Sequence, residues 1–386
     1  MWALTPLTPD QHEVQRVAKD FATHEIAPHS AAWDRDAYFD QAIVSKLGSL
    51  GFLGMMIPEK YDGMGFDTLT YLVALEEIAI ADASIAVTIS VHNSLPTQML
   101  LRWGSEEQKE RFLKPMARGE RLGAFALSEP EAGSDAASLT CQAVRDGDDW
   151  ILNGTKAWVS SGTAGDVVLA MVRTDTPHDR RGARGISAFI ITPDLPGYSI
   201  GKKENKMGLR ASPTVQLVFQ DMRVPGDRLL GQQGSGFIYA MQSLDNGRLG
   251  ISAQAIGIAE AALRHSAAYA AERRQFSKPI KEFQAIQFKL ADMATRVAAS
   301  RALLHAAATA KDRGEHITQF SSMAKLLASE TAMWVTTQAV QIFGGYGYVK
   351  EYPVERLFRD AKVTTIYEGT SEIQRIVIAR ELYSKK

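Results

Sequence analysis

The chain carries one cysteine, Cys141, in 386 residues, so a disulfide framework is excluded. That usage suits a reducing compartment. Metal-binding spacing is missing too. His24 and His29 stand five apart, not the four that would place both on one helical face, and there is no HExxH; no metal is expected. A net charge of -1 leaves no electrostatic footprint for nucleic acid. The basic pair Lys202–Lys203 stands beside Glu204 and reads as a solvated face. No uninterrupted apolar run of about 18 residues occurs, so no membrane span is expected. The nearest approach, Leu72 to Leu95, is broken by Glu76, Glu77, Asp82, His92 and Asn93. The segment from Met1 to Phe21 has neither the layout of a secretory signal nor the Arg- and Ser-rich character of a transit peptide. A complete GxGxxG and a GxxxxGK[ST] are both absent. Gly345-Tyr346-Gly347 and Gly234-Ser235-Gly236 lack the third glycine and a βαβ context. Any dinucleotide therefore has to be held without a Rossmann domain. No GxSxG offers a serine nucleophile.

What is present is a well-packed soluble composition, 45% hydrophobic and 23% charged. The length predicts two or three domains. Thr8-Pro9-Asp10-Gln11 combines a capping hydroxyl, a proline at N1 and a glutamine at N3. Val14, Val17, Ala18, Phe21 and Ala22 follow at helical spacing. Tyr71–Ala81 and Ser84–Trp103 read as buried helices, and Ser105 to Gln108 repeats the capping signature. The character changes near Gly119. Short β-rich runs at Gly123–Leu127, Gln142–Arg145, Trp150–Leu152, Val167–Val172, Ile186–Thr192 and Val215–Phe219 are separated by Gly, Pro and Asp clusters. Such punctuation predicts a β-barrel or sandwich, not a βαβ unit. From about Gly236 helix returns, over Ile238–Arg273, Ile280–Asp312 and Thr318–Phe343, with a last helix from Glu372. That pattern predicts an antiparallel bundle.

Three blocks add chemistry to this outline: Phe125-Ala-Leu-Ser-Glu-Pro-Glu-Ala-Gly-Ser-Asp135, Lys156-Ala-Trp-Val-Ser160, and Asp360-Ala-Lys-Val-Thr-Thr-Ile-Tyr-Glu-Gly-Thr-Ser-Glu-Ile-Gln374. In this order and separation they resemble the acyl-CoA dehydrogenase family, and the short-chain and short/branched-chain members most. Asp245-Asn-Gly-Arg248, Glu272-Arg-Arg-Gln-Phe276 and Gln341-Ile-Phe-Gly-Gly345 resemble its remaining signatures. The resemblance covers nearly the whole chain. It implies an α+β multidomain fold: an N-terminal helical domain (1–120), a middle β domain (121–235) and a C-terminal four-helix bundle (236–386). It also implies FAD, an acyl-CoA substrate, a homotetramer, an electron-transfer flavoprotein as redox partner, and a place in fatty-acid β-oxidation. A bacterial cytoplasm is the expected location, or a mitochondrial matrix in a eukaryote.

The chemistry fits these residue types. A thioester α-hydrogen is weakly acidic, so its removal needs a base and a donor to the carbonyl oxygen. By resemblance the base is Glu368, whose own N–H would help polarise that oxygen, while Gly369 lets the chain pass close to the ligand. Taken alone, Tyr-Glu-Gly-Thr would read as a solvated loop; the accompanying motifs reverse that. Some branched-chain members carry the base on a helix at the position matching Gly247, and glycine cannot serve. The resemblance further assigns FAD contacts to Phe125, Leu127, Ser128, Trp158 and Ser160, with the indole of Trp158 suited to stacking on a flat ring. Arg273, Gln341, Gly344 and Gly345 match cofactor positions reached from neighbouring subunits, a guanidinium suiting a pyrophosphate, and Gln284 matches a further flavin-contact position. Thr370 and Glu372 match positions on the adenosine portion of FAD. Ser134, Asp245, Arg248 and Gly369 match the substrate side, Ser134 at the CoA.

Glu131 departs from the pattern, standing where many relatives have glycine; if the position demands positive φ, the glutamate is strained by on the order of 1 kcal/mol. Two other readings accompany the main one. A flavin oxidase of the same fold is disfavoured because the extra C-terminal domain of acyl-CoA oxidases is missing and position 368 is not aspartate. A non-catalytic acyl-CoA- or FAD-binding protein is disfavoured by the intact Glu368.

Overall fold

A proline and two capping boxes set the first helices of the computed structural model, which describes residues 5–175 and 182–384. Thr8 Oγ1 accepts from Gln11 N–H at 3.2 Å and Gln11 Oε1 accepts from Thr8 N–H at 3.0 Å, opening α1 (Pro9–Phe21). Then come α2 (Ser30–Asp36), α3 (Gln41–Ser49), α4 (Thr68–Ala81), α5 (Ala83–Ser94) and α6 (Pro96–Trp103). The single helix expected over Ser84–Trp103 is thus two. Pro96 has no N–H to continue α5 and instead takes the N1 position of α6. The second capping box, at Ser105 and Gln108, starts α7 (Glu106–Gln108), continued by a π-turn into α8 (Lys114–Ala117).

The strands follow: β1 (Gly123–Ala126), β2 (Gln142–Asp146), β3 (Asp149–Ser160), β4 (Val167–Arg173), β5 (Ile186–Ile191), β6 (Tyr198–Lys203), β7 (Thr214–Val224) and β8 (Leu229–Leu230). They form one sheet in the order β6-β7-β3-β2-β4-β5-β8, with β1 parallel beside β4. Alternation divides β4 between two cores. Val167, Leu169 and Met171 pack with Met99, Leu100 and Phe112 of the helices, while Val168, Ala170 and Val172 face Trp150, Phe189 and Phe219. β3 and β5 are not neighbours in the sheet, yet the Trp150 and Phe189 rings meet at 5.5 Å. The sheet is therefore curled around its own core. Two strands of this sheet escaped the sequence reading. β8 is only two residues long, and β6 is an exposed edge whose Lys202 pairs with Glu204 at 2.8 Å, so neither shows apolar alternation. Glu131, in the loop after β1, is exposed and has no positive φ, so the strain anticipated for it is absent.

The C-terminal part comprises α9 (Gly236–Glu272), a hairpin of β9 (Arg274–Gln275) and β10 (Lys278–Pro279), then α10 (Gln284–Asp312), α11 (Thr318–Phe343), α12 (Val354–Val363) and α13 (Ser371–Tyr383). The segment over α12 was not anticipated as a helix of its own. Three long helices pack with these two short ones, and α4 and α5 lie against α9. Helices from both ends of the chain share one apolar core. Charged groups tie them as well: the buried Arg301 of α10 donates to Glu76 of α4 at 2.6 Å and to Glu260 of α9 at 3.0 Å. Among the described residues no helix is long and apolar enough to cross a membrane.

Candidate active site

Glu368 lies in the turn between α12 and α13, in the left-handed region at φ +54°, followed by Gly369 at φ +90°. A non-glycine residue in that region stores on the order of 1 kcal/mol, so its surroundings must hold it there. They do so from several elements. Gln374 of α13 donates from Nε2 to the carbonyls of Glu368 (3.0 Å) and Gly369 (2.9 Å). Lys325 of α11, with no exposed surface, donates from Nζ to the Gly369 carbonyl at 2.7 Å. The Tyr367 hydroxyl donates to Gln254 Oε1 on α9, and Gln254 in turn donates to the Ala83 carbonyl at 2.6 Å. Thr370 caps α13 by accepting from Ile373 N–H at 3.3 Å.

The carboxylate itself is not satisfied. Glu368 Oε2 is shut off from water and has no hydrogen-bond partner. Burial pushes its pKa up to about 7, against the opposing charges of Arg248 and Lys325. The carboxylate presses against α9 at Gly247, where an added Cβ would meet Glu368 Oε2 at 2.4 Å. Position 247 therefore shares the space of the Glu368 carboxylate. The next residue, Arg248, is buried and donates to Asp245 Oδ1 at 2.6 Å and to Ser322 Oγ at 3.3 Å, and Asp245 Oδ2 accepts from Thr318 at 2.6 Å. Arg248 Nε has no partner. Buried polar atoms left unmatched on both an acid and a base mark a place built for a third molecule.

The residues expected in the β domain also come together. Lys156 Nζ donates to the Leu127 carbonyl at 3.1 Å, and Ala157 N–H donates to the Ser128 carbonyl at 2.9 Å, joining the end of β1 to β3. A register shift in β3 between Lys156 and Val159 turns Trp158 outward at φ +59°, leaving the residue 61% exposed. A large flat ring held in strain and left open is a surface prepared for stacking, and it fits an isoalloxazine. Phe125 and Leu244 are half-buried against both the helical core and the core beneath the sheet. Leu244 immediately precedes Asp245.

The remaining candidates stand elsewhere. Arg273, Gly344 and Gly345 line an open groove with Tyr269 and Tyr346, the guanidinium lying 5.3 Å from the Tyr346 ring centroid. Gly344 has φ +61°, and no atom lies within 4 Å of where a side chain would begin at Gly344 or Gly345, which leaves their backbone open to a ligand. Gln341 is exposed at the end of α11. Thr370 and Glu372 line another groove with Trp334 and Lys362. Gln284 at the start of α10 and Ser134 in the loop after β1 are exposed. The structure thus gathers Glu368, Gly369, Asp245 and Arg248 in one place, Phe125, Leu127, Ser128, Trp158 and Ser160 in a second, and divides the rest between outer grooves.

Sequence reasoning missed Lys325, Gln374 and Gln254. A signal existed for Lys325, since it falls on the stripe Ser321, Lys325, Ala328, Ala332, all buried on α11. A lysine on a core-facing stripe needs a partner.

Comparison with known proteins agrees along the whole chain. Family models match for the N-terminal (8–120), middle (124–222) and C-terminal (234–383) domains of acyl-CoA dehydrogenase. The mouse short-chain specific acyl-CoA dehydrogenase, mitochondrial, is 48% identical over 97% of this chain and 90% of its own. The solved butyryl-CoA dehydrogenase from Megasphaera elsdenii is 45% identical, with a TM-score of 0.96 over 98% of this chain and 100% of that one. A glutaryl-CoA dehydrogenase from Mycobacterium smegmatis, solved in complex with FADH2, is 31% identical, with a TM-score of 0.93 over 98% of this chain and 96% of that one. On its sequence, its fold and these matches, the chain belongs to the acyl-CoA dehydrogenase family.

Proposed function

We propose that this enzyme dehydrogenates a short-chain acyl-CoA to the trans-2-enoyl-CoA, with Glu368 as the base that takes the α-proton. One observation carries the reading: the half-buried Glu368 turns an unpartnered carboxylate oxygen away from water, on a turn held by Gln374 and Lys325. A carboxyl raised to about 7 is a far better proton acceptor than an exposed one, yet is still substantially ionised near neutral pH. Because only the carboxylate accepts a proton, activity is expected to rise as pH climbs through that value. The Glu368 N–H is proposed as a donor to the thioester oxygen, and Gly369 as the residue that allows close approach. Asp245 and Arg248 would keep the charge balance of the pocket, and Ser134 would meet the CoA.

FAD would be held by Phe125, Leu127, Ser128, Trp158 and Ser160, with Thr370 and Glu372 on its adenosine side. Gln284 would add a further flavin contact, and Arg273, Gln341, Gly344 and Gly345 would complete the site from neighbouring subunits, which requires an oligomer; we propose a homotetramer. The chemistry FAD supplies when bound is acceptance of the β-hydride. An electron-transfer flavoprotein is proposed as the redox partner. The short-chain assignment is supported by the mouse and Megasphaera relatives.

Anaerobic titration of the FAD-loaded protein with butyryl-CoA, followed in the visible spectrum, tests the reading. Bleaching of the yellow colour is expected. A yellow protein that no acyl-CoA bleaches would overturn it.

A further inference from the structure

We propose that Lys325 is a positioning residue: from α11 its ammonium holds the Gly369 carbonyl, and through it the strained turn that aims Glu368. The proposal rests on Glu368 being the base. Lys325 has no exposed surface, and its one hydrogen bond, at 2.7 Å, goes to this carbonyl. It does not reach the carboxylate in a direct ion pair, although an opposite charge lies in the same pocket. A lysine buried without an ion pair is costly, so its place at this turn calls for a role beyond packing.

Geometry gives that role. Consecutive residues at φ +54° and +90° turn the carbonyls of Glu368 and Gly369 toward α11 and α13, where Lys325 and Gln374 receive them. Gln374 bridges both carbonyls from the element that follows the turn. Lys325 anchors the Gly369 carbonyl to α11, while Tyr367 ties the start of the turn to Gln254 on α9. Without that anchor, the turn can relax out of the left-handed region and carry the carboxylate away from Gly247. A displacement of about 1 Å of a reacting group can cost 10²-fold in rate.

The ammonium also acts through space. Burial pulls Lys325 down to about 8, so it remains largely charged at neutral pH, and that charge favours the ionised form of Glu368. The other titratable groups facing this turn are Arg248 with its partner Asp245 on α9, Tyr71 on α4, Tyr367 in the turn itself, and Glu372 on α13. Arg248 is the second cation, and it is already paired with Asp245. Removing Lys325 therefore takes away, among the described residues, the cation near Glu368 that has no carboxylate bonded to it.

The test compares FAD-loaded Lys325→Met, Lys325→Gln and Lys325→Arg with wild type, measuring kcat and KM for butyryl-CoA across pH, flavin content and melting temperature. The neutral variants are expected to keep their flavin and melt near wild type. Their kcat should fall by roughly 10-fold or more with KM little changed. The acidic limb of their kcat/KM profile should move to higher pH by about half a unit or more, because loss of a nearby positive charge disfavours the carboxylate. Lys325→Arg should leave the limb at its wild-type pH. An unmoved limb in both neutral variants, or their recovery only as flavin-free unfolded protein, would make Lys325 a scaffold residue and end the proposal. Glu368→Gln, run in parallel, separates the two ideas. Full turnover there removes the base assignment itself, whereas an inactive Glu368→Gln beside an unmoved limb removes only the role of Lys325.

Discussion

Two carboxylates, the buried Glu129 in the loop after β1 and the half-buried Glu368 in the turn before α13, each lie near a lysine with no exposed surface. Their fates diverge. Glu129 accepts from the backbone N–H groups of Thr140 (2.7 Å) and Cys141 (2.9 Å) and from Lys156 Nζ (2.8 Å). Burial pushes its pKa up, but Lys156 and those donors outweigh burial and hold it below the ordinary carboxylate range. At Glu368 the lysine spends its hydrogen bond on a carbonyl, Oε2 receives nothing, and burial wins. A nearby positive charge is common to both sites. The supply of hydrogen bonds to the charged form separates a structural carboxylate from one poised to take a proton.

The largest expected effect attacks the poised member. Glu368→Gln keeps the shape and removes the proposed base, so turnover should fall by roughly 10²- to 10⁴-fold while FAD and acyl-CoA still bind. Stopped-flow bleaching with butyryl-CoA measures it, and near-normal rates would show that the contrast has no catalytic meaning. The structural member should answer in stability. Glu129→Ala strands the Lys156 ammonium in a buried site and is expected to destabilise the fold by about 3–5 kcal/mol. Denaturant unfolding reads this, and a loss below about 1 kcal/mol would mean that water reaches Lys156 readily.

The two sites should also respond to pH with opposite sign. Glu129, lowered in the fold, contributes stability above its ordinary pKa that is lost as pH falls. Glu368, raised in the fold, contributes stability below its ordinary value that is lost as pH rises through about 7. In FAD-free protein at pH 8, Glu368→Gln should therefore be the more stable form by about 2 kcal/mol, a figure discounted for the half-exposed residue. That advantage should shrink to less than half near pH 5. Melting curves of both proteins at the two pH values are sufficient, and a gap that does not depend on pH would mean that the carboxyl titrates normally.

How much of this was legible in the sequence depended on whether a residue's neighbours are local. Val167 to Val172 announced β4 because a short, continuous apolar run is a property of the strand itself, whereas β6 pairs through its backbone at an exposed edge and left no apolar trace. The break at Pro96 was written in the chain and was overlooked within a long apolar stretch. Glu368 was singled out through the motif around it, and the structure places its unpartnered carboxylate oxygen out of reach of water. The place of Lys325 on a core-facing stripe was legible, but its partner was not, because that partner lies 44 residues away and the bond goes to a carbonyl, which leaves no mark on side-chain pattern. Glu131 shows the reverse error: a residue type suggested strain, and the backbone there adopts an ordinary conformation.

The smallest expected change is also the most local test of where the carboxylate sits. Gly247 lies within α9, so Gly247→Ala should by itself favour the helix, by up to about 1 kcal/mol. The new Cβ, however, would stand 2.4 Å from Glu368 Oε2 and 2.8 Å from its carboxyl carbon. The end of a side chain can swing away where a helix backbone cannot, so the methyl is accommodated by moving the carboxylate. Melting temperature should then hold or rise while kcat falls by about 10-fold, the rate loss expected when a base is displaced without being removed. A structural site such as Glu129, bonded on both oxygens, has no such freedom, and crowding it would lower stability first. Activity lost with stability kept would place the Glu368 carboxylate over position 247 and show that its missing hydrogen bonds leave it free to move. Stability and activity falling together would mean that Glu368 is fixed in its pocket as firmly as Glu129 is.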